Sequence, residues 1–322
     1  MHKVIMAPSE GLDNERAAIS VAVKLAQRFE ADLRLVRVAA APLVIETIDR
    51  PPVLTITDQT LLDERLARLR KLEALGTECR ALGEIRVMTA LEDGPVAPTL
   101  RDYAMKFNVD LIVMSSHSRG GVKRIALGSV TDYLIRQTNI PVLVVRPSDS
   151  FIGATPEQTF SRIVVPLDGS LLAEQILPEV AALALRLKST VSLLHVLTPL
   201  TYSQKEIMQP GLPWWDDDIA TADVCLTRAA SYLTEEGLTV SKDVVLSEDI
   251  ATAILDHSIR TRADLIALAT SGAGGMSRFV FGTVADEITR KSPTSLLVFH
   301  PKRSAVTDNT PECSETQTLA GA

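Results

Sequence analysis

DLIVMSSHSRGGVKRIALGSVTD at residues 110–132, running on to PVLVVRP at 141–147, returns as DLIALATSGAGGMSRFVFGTVAD at residues 264–286, running on to SLLVFHP at 295–301. One offset of 154 positions carries Asp110 to Asp264, Gly121 to Gly275, Arg124 to Arg278, Gly128 to Gly282, Asp132 to Asp286 and Pro147 to Pro301 without a gap. Each copy reads as a buried apolar strand, a loop of small residues, a Gly-Ser or Gly-Thr pair, a short helix and a second apolar strand. That is the order a phosphate-binding strand-loop-helix needs, because the free amides of a helix start can face an anion.

The 322 residues are about twice the length of a typical single domain, and the repeat turns that prior into two tandem domains. Their expected bounds are 1–147 and 160–301, joined by a linker at 148–159 (SDSFIGATPEQT) that lacks apolar periodicity. Residues 303–322, rich in polar residues and without an apolar face, are expected to be a disordered tail. With 46% hydrophobic and 23% charged residues each half can bury an ordinary core.

Apolar runs predict strands at 3–8, 32–39, 84–90, 110–115 and 141–145, and again at 162–167, 190–197, 239–246, 264–270 and 295–299. Helical spacing intervenes at 14–29, 61–82, 95–107 and 130–136 in the first half. Strands alternating with helical crossovers imply a doubly wound α/β fold, with a five-stranded parallel sheet in each domain, covered on both faces.

The net charge of −7 argues against a sequence-independent grip on nucleic acid, which relies on Lys and Arg neutralising phosphates. Cys79, Cys225 and Cys313 are far apart, odd in number and without metal-ligand spacing, so they suggest neither a disulfide framework nor a zinc site. No membrane association is expected: the start MHKVIMAP has no charged n-region before an apolar h-region, and no run of about 18 apolar residues exists. A cytoplasmic location is the expectation.

At the second loop the pattern resembles the universal stress protein family in tandem-domain form, from residue 3 to residue 301. The resemblance implies the strand order 3-2-1-4-5 and a domain pair packed through the fifth strands, with a homodimer as a further option. In nucleotide-binding members the fourth strand ends in Gly, two residues intervene before a second Gly, and nine residues later comes Gly-Ser or Gly-Thr; an Asp ends the first strand. The second half matches with Asp168, Gly272, Gly282 and Thr283, while Ala269 stands at the first Gly. In the first half Gly128 and Ser129 match, Ser115 and Ser118 stand at both leading glycines, and an offset of 159 sets Ser9 against Asp168. A side chain at such a glycine narrows the approach of a phosphate, and loss of a carboxylate removes acceptors for ribose hydroxyls.

The resemblance therefore implies ATP or a related adenine nucleotide, with Mg2+ only as its companion, bound in the second domain ahead of the first, and a stress-associated role exerted by ligand-dependent conformation or partner contact. Two rivals stand beside it: a scaffold with vestigial sites, and a weak nucleotide hydrolase. The chain lacks G-x-x-x-x-G-K-S/T, a pyrophosphatase loop S-G-G-x-D-S after a first strand, and G-x-S-x-G, so binding is favoured over catalysis. Bland readings compete at each residue. Asp168 before Gly169-Ser170 can order a turn, Thr283 can cap a helix, and His195 can be a half-buried strand-end residue.

Overall fold

The computed structural model describes residues 2–11, 15–39, 58–116, 127–146, 159–198, 214–270 and 282–301. In the first half, β1 (Val4–Pro8), β2 (Asp32–Ala39), β3 (Val87–Asp93), β4 (Leu111–Ser115) and β5 (Val142–Val145) alternate with α1 (Arg16–Phe29), α2 (Asp58–Gly83), α3 (Val96–Lys106) and α4 (Ser129–Gln137). In the second, β6 (Arg162–Pro166), β7 (Thr190–Leu197), β8 (Val240–Leu246), β9 (Leu265–Ala269) and β10 (Ser295–Phe299) alternate with α5 (Leu171–Glu174), α6 (Leu177–Leu187), α7 (Trp214–Glu235), α8 (Ile250–Arg260) and α9 (Thr283–Lys291).

The strands form one ten-stranded sheet in the order β3-β2-β1-β4-β5-β10-β9-β6-β7-β8. Each half is parallel within itself and has the order 3-2-1-4-5; the halves meet antiparallel, with Leu296 opposite Val144, Leu297 opposite Leu143 and Val298 opposite Val142. The offset of 154 maps Leu143 onto Leu297, so a local two-fold passes between this cross-strand pair. An edge of four successive buried apolar residues, Val142 to Val145, cannot be left in water, and pairing with its own repeat covers it.

Side chains alternate across the sheet. One core holds Ile5, Leu33, Leu143 and Leu297 against α1, α2, α6 and α7; the other holds Met6, Ile112, Val144 and Leu296 against α3, α4, α8 and α9. Asp110, the first residue of the repeat, accepts the backbone N–H groups of Lys3 (2.7 Å) and Val4 (3.0 Å), and Asp264 accepts that of Arg162 (3.0 Å). The repeated acid thus fixes the start of each central strand. The third strand departs from the sequence reading, starting at Val87 rather than residue 84: α2 continues through Gly83, and Glu84 turns at φ 48°. It then runs to Asp93 because β2 extends to Ala39 and pairs with it.

Burial pushes the free Cys79 thiol up to about 11. Cys225 is buried, 4% exposed, and Cys313 lies outside the described residues. Among the described residues no helix is long and apolar enough to cross a membrane. Of the expected linker at 148–159 only Thr159 is among the described residues, and the expected tail at 303–322 lies outside them.

Candidate functional site

The strand pairing sets the two first strands in register at an offset of 158, not 159. Ile5 and Ile163 occupy the same place, the former opposite Leu33 and Leu111, the latter opposite Val191 and Leu265. Pro8 then matches Pro166, Ser9 matches Leu167, and Gly11 matches Gly169, both at φ 81°. Glu10 therefore holds the place of Asp168. The first half has not lost its strand-end acid; it carries a carboxylate one methylene longer, and the assignment of that role to Ser9 is corrected.

A cavity of about 310 Å³ opens at the carboxyl ends of β1 and β4. Pro8, Ser9 and Glu10 form one side, Met114 and Ser115 the next, and Gly128, Ser129, Val130 and Thr131 at the start of α4 close it. Val36 and Val38 of β2, with Val96 and Leu100 of α3, make an apolar wall. The volume lies at the small end of the roughly 300–1,000 Å³ typical of ligand sites.

The β1–α1 turn is held from within by Glu15, which is 3% exposed. Its carboxylate accepts the Ser9 hydroxyl (3.0 Å) and the amides of Glu10 (2.8 Å) and Gly11 (3.1 Å). Gly11 is required here: its positive φ is costly for other residues, and a Cβ would lie 3.0 Å from Arg37 Nη1. Glu15 orders the turn so that Glu10 lines the cavity. Gly128 is the extended N-cap of α4, with φ −67° and ψ 147°, and no side chain caps the helix. The first-turn amides have no partner within the helix, so they are available to a ligand's acceptors. Two further donors stand beside the cavity. Ser115 (6% exposed) and Thr131 (1% exposed) have buried hydroxyls without a partner among the described residues.

The second half closes the same groups on themselves. Asp168 Oδ1 accepts the Ser170 amide (3.0 Å) and hydroxyl (2.6 Å), and Ser170 Oγ caps α5 through the Ala173 amide (3.2 Å). Gly282, not Thr283, is the N-cap of α9; its amide donates to the Thr270 carbonyl at 2.8 Å, and a Cβ there would lie 3.3 Å from that oxygen. Ala269 ends β9 half-buried, and Thr283 is exposed on the first turn. His195 is half-buried beside the Asp168–Ser170 turn; burial lowers its pKa and nearby Asp168 opposes the shift. Ser118 and Gly272 lie outside the described residues.

The structure thus brings Ser115, Gly128 and Ser129 together with Glu10, Glu15 and Thr131, three residues the motif reading passed over. Comparing the two copies carried a signal for one of them: Thr131 matches Ala285, just as Ser115 matches Ala269, so the first copy has hydroxyls where the second has methyls. Among the described residues no cluster of His, Cys, Asp or Glu side chains could hold a metal ion.

Comparison with known proteins agrees with this architecture. A universal stress protein of Methanocaldococcus jannaschii is 28% identical over 147 residues, spanning 45% of this chain and 83% of its own length. The crystal structure of a universal stress protein from Archaeoglobus fulgidus superposes with a TM-score of 0.66 at 17% identity, covering 92% of this chain and 98% of that one. The sequence profile of the universal stress protein family matches twice, over residues 1–146 and 159–300, and the chain belongs to that family.

Proposed function

We propose that this protein is a binding protein for ATP or a related adenine nucleotide, and that the first-half cavity is its ligand site. The carrying observation is the cavity's place. With strands in the order 3-2-1-4-5, the chain's winding reverses between β1 and β4, and doubly wound sheets receive ligands outside the carboxyl ends of the strands at that switch point. The apolar wall of Val36, Val38, Val96 and Leu100 suits a base. Glu10 supplies acceptors for ribose hydroxyls, and the α4 amides with the Ser129 hydroxyl suit phosphate oxygens. Mg2+ would enter only with the nucleotide.

The second half is read as a structural copy, because Asp168 holds its own turn and the Gly282 amide is taken by Thr270. The output is a ligand-dependent change in conformation or partner contact, in keeping with a stress-associated role.

Calorimetric titration of nucleotide-free protein with ATP, ADP and adenosine tests this reading. Wild type should bind, Glu10→Gln should weaken binding, and Val38→Phe should abolish it by filling the cavity; Val196→Phe, the matching change in the second half, should leave it intact. Binding lost in Val196→Phe and kept in Val38→Phe would place the site in the other half. No heat with any nucleotide would leave the scaffold reading, and phosphate release in the same samples separates binding from hydrolysis.

A further inference from the structure

Six buried side-chain nitrogen and oxygen atoms lack a hydrogen-bond partner among the described residues, and four of them gather at one end of the first half: Ser115 Oγ, Thr131 Oγ1, and Nε and Nη1 of Arg146. Ser115 ends β4, Thr131 stands on the first turn of α4, and Arg146 directly follows Val145, the β5 residue paired with Ser115. Arg146 is 3% exposed. Its Nη2 donates to the Thr289 carbonyl of α9 at 2.6 Å, and its amide donates to Ser295 Oγ at 3.0 Å. No carboxylate among the described residues offsets the charge, and burial pushes its pKa down to about 10. A buried cation without a counter-charge is costly, so a fold that keeps one has a use for it.

The three residues belong to one neighbourhood. Strand alternation puts Arg146 on the face of Val144 and Met114, the face that α4 and α9 cover and on which the cavity opens. Asp132 of α4 acts electrostatically on Arg290 of α9, so the turns carrying Thr131 and Thr289 are neighbours, and the guanidinium bonded to Thr289 lies near the start of α4. The copies also differ at all three positions together. The offset of 154 sets Ser115, Thr131 and Arg146 against Ala269, Ala285 and His300, and His300 Nδ1 lies 2.6 Å from Thr270 Oγ1.

Resting on the nucleotide reading above, we infer that the inner end of the first-half cavity is a phosphate subsite in which Ser115 and Thr131 donate to the phosphate beside the first-turn amides of α4, and Arg146, held in place by the second half, is the counter-charge. Glu10 and Glu15 stand on the β1 side, where Glu15 already accepts the Ser9 hydroxyl and the amides of Glu10 and Gly11. The cavity is therefore acidic toward β1 and rich in donors toward β5. A phosphorylated ribose fits that polarity, with its hydroxyls toward Glu10 and its phosphate toward the donors.

Thermal melts of the full chain in inorganic phosphate at constant ionic strength, with calorimetric titrations of AMP and adenosine, test this. Phosphate should raise the melting temperature of wild type and not that of Arg146→Met, a change of similar length that removes the buried charge. The same variant should bind AMP on the order of tenfold more weakly, the effect of one charge within about 10 Å at an effective dielectric constant near 20, and should bind adenosine as wild type does. Ser115→Ala/Thr131→Ala, which installs the residues of the second copy, should also lose the phosphate-induced shift. Equal AMP affinity in wild type and Arg146→Met, equal phosphate-induced shifts in the two, or an undiminished shift in the double hydroxyl variant would each overturn the inference, even where AMP binds. A phosphate-induced shift that needs Arg146, with no heat from AMP or adenosine, would support the subsite and remove the nucleotide reading.

Discussion

The seam between the halves offers the sharpest test of the fold's energetics. Leu143 and Leu297 face each other across the β5–β10 pairing and are 0% and 3% exposed. Replacing one by Ala removes three carbons, about 2.4 kcal/mol at roughly 0.8 kcal/mol per buried methylene. The cavity left in a closed core raises that to about 3–5 kcal/mol. Because the two side chains are neighbours, the double variant Leu143→Ala/Leu297→Ala should fall short of additivity, at about 5–8 kcal/mol. At roughly 2–4 °C per kcal/mol for a unit of 150–250 residues, scanning calorimetry should show the main transition more than about 10 °C lower, or two transitions where the halves lose their coupling. A double variant that melts within about 3 °C of wild type would refute the reasoning, because the seam would then carry little of the folding free energy.

Thr131→Val keeps the shape and removes a buried hydroxyl without a partner among the described residues. It should raise the stability of the unliganded protein by about 1 kcal/mol and weaken nucleotide binding; calorimetric and thermal titrations read both. Arg136 of α4 bonds Asp132 (3.0 Å) and, across the seam, Asp286 of α9 (2.9 Å), while Arg290 also holds Asp286 and with Arg136 keeps its carboxyl below the usual range. Arg136→Ala should cost about 1 kcal/mol, and a double-mutant cycle with Asp286→Ala should return a coupling of several tenths of that, since half-exposed pairs are worth roughly 0.2–1 kcal/mol each. His257 is 2% exposed, with Nδ1 2.9 Å from Arg260 Nη2 and Nε2 3.4 Å from Ser192 Oγ; burial lowers its pKa, Asp243 opposes the shift and Arg260 adds to it. The unfolded chain takes up a proton first as pH falls, so the stability tied to neutral His257 is complete above about pH 6.5 and declines below it. Melting temperatures of wild type and His257→Gln from pH 8 to 5 should show a steeper acid decline for wild type, and parallel curves would refute the assignment.

Most of the architecture was legible because the same residue serves the same job twice. Asp110 and Asp264, met first as the opening letter of a repeat, turn out to hold the starts of the two central strands through their carboxylates. The antiparallel joining of the fifth strands follows from an apolar run too continuous for an exposed edge. The third strand was harder, since EIRVMTA alternates well enough to be a strand throughout, and only the C-terminal turn of α2 decides that Glu84 and its neighbours are not part of it. Glu15 carried no usable signal. An acid near a helix start is commonplace, and its role depends on closure of a loop that brings the amides of Glu10 and Gly11 onto its oxygens.

The first strand shows how a small misreading of register changes a functional conclusion. Sliding MAPSEG against VPLDGS by one residue set Ser9 against Asp168 and made the first copy look stripped of its acid. Anchoring instead on Pro8 with Pro166 and Gly11 with Gly169 pairs Glu10 with Asp168. A strand's side chains alternate between faces, so a slip of one residue changes which group ends up at the ligand end.

Motif completeness and site availability are then different properties in this chain. The second copy keeps more of the family's glycines, yet the Gly282 amide is spent on a carbonyl and Asp168 on its own turn. The first copy replaces the leading glycines but sets Glu10, the start of α4 and two hydroxyls without a partner among the described residues around a cavity. Glycine removes a steric obstacle; it supplies no binding energy of its own. What makes a site is donors and acceptors whose needs the fold has left unmet, because a ligand that satisfies them recovers a cost already present in the empty protein. By that criterion the copy with the poorer motif is the one we propose as the site, and the two halves differ there by side chains exchanged on a shared backbone: Ser115 against Ala269 and Thr131 against Ala285 leave the sheet unchanged.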